Sequence, residues 1–310
     1  MHTKNNILII KHGSIGDFVM ALGAIKSIRN HYQDSRLVLL TTPLIKNLFC
    51  KIPDIDDFFL DNRKSLIDIF NFIKLIKNNR FDYIIDLQNS QRTQLYHLLT
   101  RVFSPKSKIN SSKKFAQLRY LIPNHGSEHV SVGLNNQIKI LGINKFSNPS
   151  LFWLIDKEFK IPTKKKFIVL IPGTSISGSR KQWSYKNFAQ LSIFFNEMNF
   201  DTFVTGASSD LEHVNKIVKE SENTAIDATS FSDFPKFLKL CTNASLIISV
   251  DTGPAHIAAL TNAKMIWLVA EGPYAKANKP ISNKVFVIID KSVLNINLDK
   301  VKKLSLELLN

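Results

Sequence analysis

Ile7-Leu8-Ile9-Ile10-Lys11-His12-Gly13-Ser14-Ile15-Gly16-Asp17, running into the apolar-periodic stretch Phe18 to Ile28, is where the fold is read. A four-residue apolar run closed by a glycine-containing turn has the length of a buried strand, and the periodicity after it is that of a helix face. A second apolar run, Leu37 to Leu40, completes a βαβ unit. The rhythm recurs outward, with a helix predicted over Leu66 to Ile76 and a strand over Tyr83 to Leu87 that ends in Gln88-Asn89. From Ser104 to Ser150 it fades into Lys, Ser and Asn broken by Pro105, Pro123 and Pro149, where loops and helices are expected.

Residues 156 to 166, Asp-Lys-Glu-Phe-Lys-Ile-Pro-Thr-Lys-Lys-Lys, read as a charged interdomain linker. Beyond it the pattern restarts: strand Phe167 to Ile171, helix Tyr185 to Met198, strand Thr202 to Thr205, helices Leu211 to Lys219 and Phe234 to Cys241. Strands Leu246 to Val250, Met265 to Val269 and Val285 to Ile289 and a helix from Leu298 complete it. The expected architecture is α/β, with Rossmann-like domains at 1–155 and 156–310 whose parallel sheets face each other across a cleft. Ligands of such sheets sit in loops after the strands.

The chain of 310 residues is long enough for two cores, and 44% apolar with 21% charged residues is an ordinary globular composition. No apolar run approaches the roughly 18 residues that span a bilayer, and the apolar segment near the N-terminus is too short for a secretory signal, so a cytoplasmic protein is expected. Cys50 and Cys241 stand alone without metal-like spacing and read as small hydrophobes. Of the net charge of +16, most lies early: residues 1 to 165 carry 25 Lys and Arg against 12 Asp and Glu, residues 166 to 310 carry 16 against 13. Such a field attracts an anionic glycolipid, an anionic leaflet or nucleic acid, and it is equally the mark of a lysine-rich solvated surface.

Three post-strand loops carry the chemistry. In Lys11 to Asp17 two glycines allow a tight turn and leave Asp17 near a helix N-terminus, as a cap for a helix starting near Phe18 or as a proton acceptor. The spacing is GxxG, not GxGxxG, and no acidic residue follows Leu40, which argues against a dinucleotide site. The second loop, Pro172-Gly173-Thr174-Ser175-Ile176-Ser177-Gly178-Ser179-Arg180-Lys181-Gln182-Trp183, is hydroxyl-rich and then doubly basic; it suits a diphosphate but lacks the Lys-Ser/Thr of a P-loop. In the third, Asp251-Thr252-Gly253-Pro254-Ala255-His256, glycine and proline open a helix whose free amides can cradle an anion, while Asp251 and His256 also read as a cap and a core histidine.

Together with Asp86-Leu87-Gln88 and Arg92, these loops resemble glycosyltransferase family 9, the lipopolysaccharide heptosyltransferases, in order and spacing over most of the chain. The resemblance implies a GT-B fold, an N-terminal acceptor domain, a C-terminal nucleotide-sugar domain, and inverting transfer with no cofactor and no obligatory metal. By the same resemblance Asp17 is the general base and Lys181 stabilises the leaving diphosphate. The donor is held by Gly173, Thr174, Ser175, Arg180, Asp251, Thr252, Gly253, Pro254 and His256, with Asp210 after Thr205-Gly206-Ala207 on the ribose. Ser14, Gly16, Gln88 and Arg92 face the acceptor. The implied partners are ADP-heptose and an anionic glycolipid at the cytoplasmic face of the inner membrane, not nucleic acid. Asp54-Ile55-Asp56-Asp57 contains a formal DxD and is expected in a surface turn.

The chain departs from the family pattern at Ala270-Glu271-Gly272-Pro273-Tyr274, at Ser184 after the tryptophan and at Asn89-Ser90-Gln91. The first departure keeps open a different sugar for an envelope polysaccharide; a non-catalytic glycan binder and a basic nucleic-acid binder are the readings from other classes.

Overall fold

A computed structural model describes residues 5–63, 65–123, 126–173, 182–231 and 233–310. The chain divides into two units, Met1–Ser150 and Leu151–Asn310. The first runs β1 (Asn6–Ile10), α1 (Ile15–His31), β2 (Arg36–Thr41), α2 (Pro43–Phe49), β3 (Asp57–Leu60), α3 (Leu66–Asn79), β4 (Tyr83–Asp86), α4 (Gln91–Phe103), β5 (Lys108–Ser111), β6 (Leu118–Arg119) and α5 (Val130–Lys139). The second runs β7 (Phe167–Ile171), α6 (Tyr185–Glu197), β8 (Asp201–Val204), α7 (Leu211–Glu220), β9 (Ala225–Asp227), α8 (Phe234–Asn243), β10 (Leu246–Val250), α9 (Gly253–Ala259), β11 (Lys264–Ala270), α10 (Pro273–Ala277), β12 (Val285–Asp290) and α11 (Leu298–Leu309).

Each unit builds one six-stranded sheet, ordered β3-β2-β1-β4-β5-β6 and β12-β11-β10-β7-β8-β9. The described ladders are all parallel. Central strands covered on both faces need continuous apolar sequence, and Ile7 to Ile10 and Leu246 to Ile248 are fully buried for that reason. In each sheet the order reverses beside the first strand, between β1 and β4 and between β7 and β10, so a crevice opens at the carboxyl ends of those pairs. The loops singled out in the sequence leave these four strands.

Several expectations need adjustment. The units part between Ser150 and Leu151 rather than after residue 155: Leu151 is buried, the 3-10 turn Phe152–Leu154 packs on α8, and the Asp156 amide donates to Pro235 O at 3.2 Å. Helix α1 starts at Ile15, not near Phe18, because Ser14 is its N-cap. Among the described residues, 104–150 hold two strands as well as a helix, and β3 and β9 are further strands whose shortness, four and three residues, hid them. Asp57 opens β3 and pairs with Arg36 at 2.6 Å while Asp56 pairs with Arg29 at 2.5 Å, so part of the DxD-like stretch is strand held by arginines. Cys241 is buried; Cys50 is exposed at the end of α2.

Candidate active site

In the first unit, β1 delivers Lys11 and His12 into the crevice beside β4. The Lys11 ammonium is buried and donates to Leu87 O at 3.1 Å, tying the two strand ends together. Burial pulls its pKa down, against the fields of Asp17 and Asp86. The His12 amide donates to Gln88 Oε1 at 3.0 Å, so Gln88 clamps the loop from the β4 side. Gly13 then turns at φ +74, and a Cβ there would stand 3.0 Å from Asp17 Cβ. Ser14 and Asp17 form a capping box: the Ser14 amide and hydroxyl donate to Asp17 Oδ2 at 3.2 and 3.1 Å, and the Asp17 amide donates to Ser14 Oγ at 3.3 Å. Asp17 is therefore the third helical residue and not the N-cap, and its capping contacts all fall on Oδ2. The half-buried carboxylate is fixed in orientation. Gly16 is buried in the same turn.

Arg92 leads to a cluster the sequence reading missed. Its Nε and Nη2 donate to Asp61 Oδ2 and Oδ1 at 3.2 and 3.0 Å; Tyr96 OH donates to Asp61 Oδ2 at 2.6 Å and the Arg63 amide to Oδ1 at 2.8 Å. His12 Nε2 lies 3.1 Å from Asp61 Oδ2, within ion-pair distance but not aligned for a good hydrogen bond. Burial alone would raise the Asp61 carboxyl; contacts with His12, Tyr96 and Arg92 outweigh it and hold the group well below the usual carboxylate range. One buried charge thus joins the ends of β1, β3 and α4. Asp61 directly follows the short strand β3, and its place at a strand's carboxyl end is the signal that could have found it.

Deeper in the same unit, Asp86 and His97 are both fully buried, with Nε2 3.0 Å from Oδ2. Asp86 Oδ1 accepts from the amides of Gln88 and Asn89 at 2.9 and 3.0 Å. Burial, which raises its pKa, is again outweighed, chiefly by His97, so the carboxyl sits below its ordinary value. Asp86 thereby shapes the turn that presents Gln88. His12, Asn62, Arg63, Gln88, Ser90 and Arg92 line one open depression, which brings together two of the predicted acceptor residues.

In the second unit, Asp210 sits over the end of β7. A Cβ on Gly173 would come within 2.5 Å of Asp210 Oδ2, and one on Gly206 within 2.8 Å of Asp210 Cβ, so two bare backbones make room for this side chain. The Ala207 amide donates to Asp210 Oδ2 at 2.8 Å. One turn along, burial lowers the pKa of His213, opposed by the field of Asp210. From β10, Asp251 and Thr252 lead into α9, with Thr252 as N-cap, Gly253 and Pro254 in the first turn, and His256 buried. Ser249 Oγ donates to Val250 O at 2.9 Å just before this turn. Trp183, which closes the second loop, is buried and donates Nε1–H to Ile296 O at 3.0 Å. Thr174, Ser175, Arg180 and Lys181 lie outside the described residues.

Comparison with known proteins gives the family of this fold. Residues 69–305 match Glycosyltransferase family 9 (heptosyltransferase). The chain is 22% identical over 278 residues to the lipopolysaccharide core heptosyltransferase OpsX of Haemophilus influenzae, covering 86% of this chain and 79% of that one. It is 25% identical over 262 residues to lipooligosaccharide heptosyltransferase 2 of Campylobacter jejuni, covering 81% and 76%. Among solved structures it superposes on a family 9 glycosyltransferase of Veillonella parvula with a TM-score of 0.83 at 18% identity, over 100% and 98% of the two chains. On Escherichia coli ADP-heptose lipopolysaccharide heptosyltransferase II the TM-score is 0.78 at 16% identity, over 98% of each. The fold is thus GT-B, and with the family match spanning most of its length the chain belongs to glycosyltransferase family 9, the heptosyltransferases, and is a glycosyltransferase.

Proposed function

We propose that this enzyme transfers heptose from ADP-heptose to the lipid-linked core oligosaccharide of lipopolysaccharide, with inversion, at the cytoplasmic face of the inner membrane. The observation that carries the reading is that the relatives above, aligned over about four fifths of the chain, bear the names of lipopolysaccharide or lipooligosaccharide heptosyltransferases. A solved E. coli heptosyltransferase WaaC with ADP-2-deoxy-2-fluoro heptose shares the fold, with a TM-score of 0.76 at 15% identity.

In this reading the acceptor hydroxyl attacks the anomeric carbon, the bond from that carbon to the diphosphate oxygen breaks, and the hydroxyl proton passes to Asp17. The fixed Ser14–Asp17 pair supports the assignment, since the capping contacts occupy Oδ2 and leave Oδ1 clear of them. Lys181, Arg180 and the hydroxyls of Thr174 and Ser175 take the leaving ADP, aided by the Thr252 and Gly253 amides at the start of the Pro254–His256 turn, with Asp251 shaping that loop. Asp210 accepts from the ribose hydroxyls. Gln88, Gly16 and Ser14 shape the acceptor side, and Arg92 acts mainly through Asp61.

The decisive assay is ADP release from ADP-heptose in the presence of a heptose-deficient core glycolipid. Acceptor-dependent release is expected. Release from another nucleotide sugar but not from ADP-heptose would favour the second reading, a transferase for a different envelope sugar, which the unusual turn Ala270 to Tyr274 after β11 keeps in view.

Gly173→Ala tests the Asp210 assignment. The new methyl would collide with a carboxylate held by Ala207, and overpacking of this kind costs about 1–3 kcal/mol. A donor KM raised by roughly an order of magnitude is expected if about 1.4 kcal/mol of that cost falls on nucleotide binding. An unchanged donor KM would detach Asp210 from the donor.

A further inference from the structure

Helices α3 and α4 lie side by side over the first sheet, with Phe72 and Tyr96 stacked at 4.1 Å between them. Their inner faces are core: Phe72, Leu75 and Ile76 from α3, Tyr96 from α4. Their outer faces carry large apolar side chains as well. Leu66, Ile67 and Phe70 on α3 are 72%, 67% and 68% exposed, and Leu95, Leu98 and Val102 on α4 follow at one-turn spacing, all open to solvent. An amphipathic helix of a soluble protein turns polar residues outward, so two adjacent helices that turn large apolar side chains outward make a patch that asks for an occupant.

The charge around the patch says which. Lys74, Lys77 and Arg101 are exposed and extend the same helices, and Lys77 Nζ stands 6.0 Å over the Phe103 ring. From residue 63 to 108 the sequence holds nine Lys and Arg and three Asp and Glu. Two of those acids, Asp68 and Asp86, are buried, so the outward charge is almost wholly positive. Apolar side chains ringed by lysine and arginine match the interface of an anionic bilayer, where rings and aliphatic chains enter the acyl boundary and cations meet the headgroups. Among the described residues no helix is long and apolar enough to cross a membrane, so such contact would be made from one side.

The patch begins where the acceptor depression ends. Asn62 and Arg63, just before α3, and Ser90 and Arg92, at the start of α4, line that depression. We propose that the outer face of α3 and α4 docks on an anionic leaflet, so that the glycan of a membrane-anchored acceptor enters the Arg63–Arg92 depression while its lipid stays in the bilayer. The inference rests on the lipid-linked acceptor proposed above, but its test needs no turnover, so the two fail separately.

The test is co-sedimentation of the full chain with vesicles of phosphatidylglycerol and phosphatidylcholine at about 0.1 M salt. The wild type is expected to pellet with anionic vesicles. Ile67→Asp/Phe70→Asp/Val102→Asp should partition roughly ten-fold less, while Lys300→Glu/Lys303→Glu on α11, also exposed, should partition like the wild type. Unfolding midpoint and turnover on a delipidated acceptor control for folding, and neither should move. The proposal is overturned if the wild type stays in the supernatant or if the apolar variant binds like the wild type. It is equally overturned if sedimentation equilibrium shows a wild-type dimer that this variant splits, which would make the face a self-interface.

Discussion

Asp17→Asn is expected to lower kcat by about 10²–10⁴-fold while the protein folds and binds donor as before. The substitution separates the two roles that the sequence leaves entangled. An asparagine oxygen can still accept from the Ser14 amide and hydroxyl, so the capping box of α1 persists and only the attraction of a negative charge to the helix N-terminus is lost, about 0.3–1 kcal/mol. The amide cannot take a proton from an attacking hydroxyl. Steady-state ADP release and thermal unfolding, measured on the same preparation, read the two contributions apart. A kcat within about ten-fold of the wild type would mean that Asp17 is only a helix cap and that the base lies elsewhere. A collapse in stability alongside lost activity would instead give the capping role the larger share.

The parallel sheets were legible because their central strands carry uninterrupted apolar runs: Ile7 to Ile10 and Leu246 to Ile248 admit few other readings. Edge strands such as β6, two residues long, and β9, three, offer no such run, and β6 with the polar β5 left the stretch from Ser104 to Ser150 looking strandless. Motif loops were legible for the same reason that they matter: glycine and proline at strand ends mark turns whatever the rest of the chain does. What the sequence could not supply was convergence. Asp61 and Arg92 are thirty-one positions apart, Asp86 and His97 eleven, and nothing local says that each pair meets in a buried contact. Arg92 illustrates the limit, since its link to Gln88 was visible but its main partners, Asp61 and Tyr96, were not. Gly173 shows the converse: its place in a phosphate-type loop was readable, but that it makes room for Asp210, thirty-seven residues on, is a fact of packing.

Asp61→Ala is expected to destabilise the protein by about 3 kcal/mol at pH 7, the lower end for breaking a buried ion pair, because Arg92 is 25% exposed and can recover some hydration. The loss comes less from the missing contacts than from what they leave behind: the Tyr96 hydroxyl keeps its burial and loses its acceptor, and His12, at 1% exposure, loses the carboxylate that stands 3.1 Å from its Nε2. At about 2–4 °C per kcal/mol for a unit of this size, the unfolding midpoint should fall by roughly 10 °C. Two further readouts bind the effect to this cluster. Since the folded state holds the Asp61 carboxyl below its ordinary value, its contribution is complete above the unfolded pKa of about 3.9 and drains away as pH falls below it. The gap between wild type and variant should therefore narrow toward acid pH. Removing Arg92 as well takes away one of the stranded groups, so Asp61→Ala/Arg92→Ala should cost less than the sum of the single changes. Additive losses and a pH-independent gap would show that Asp61 serves only as filler beneath the loop. Coupled losses accompanied by reduced kcat would show that the ends of β1, β3 and α4 hold the Asp17 loop in place through this one buried charge.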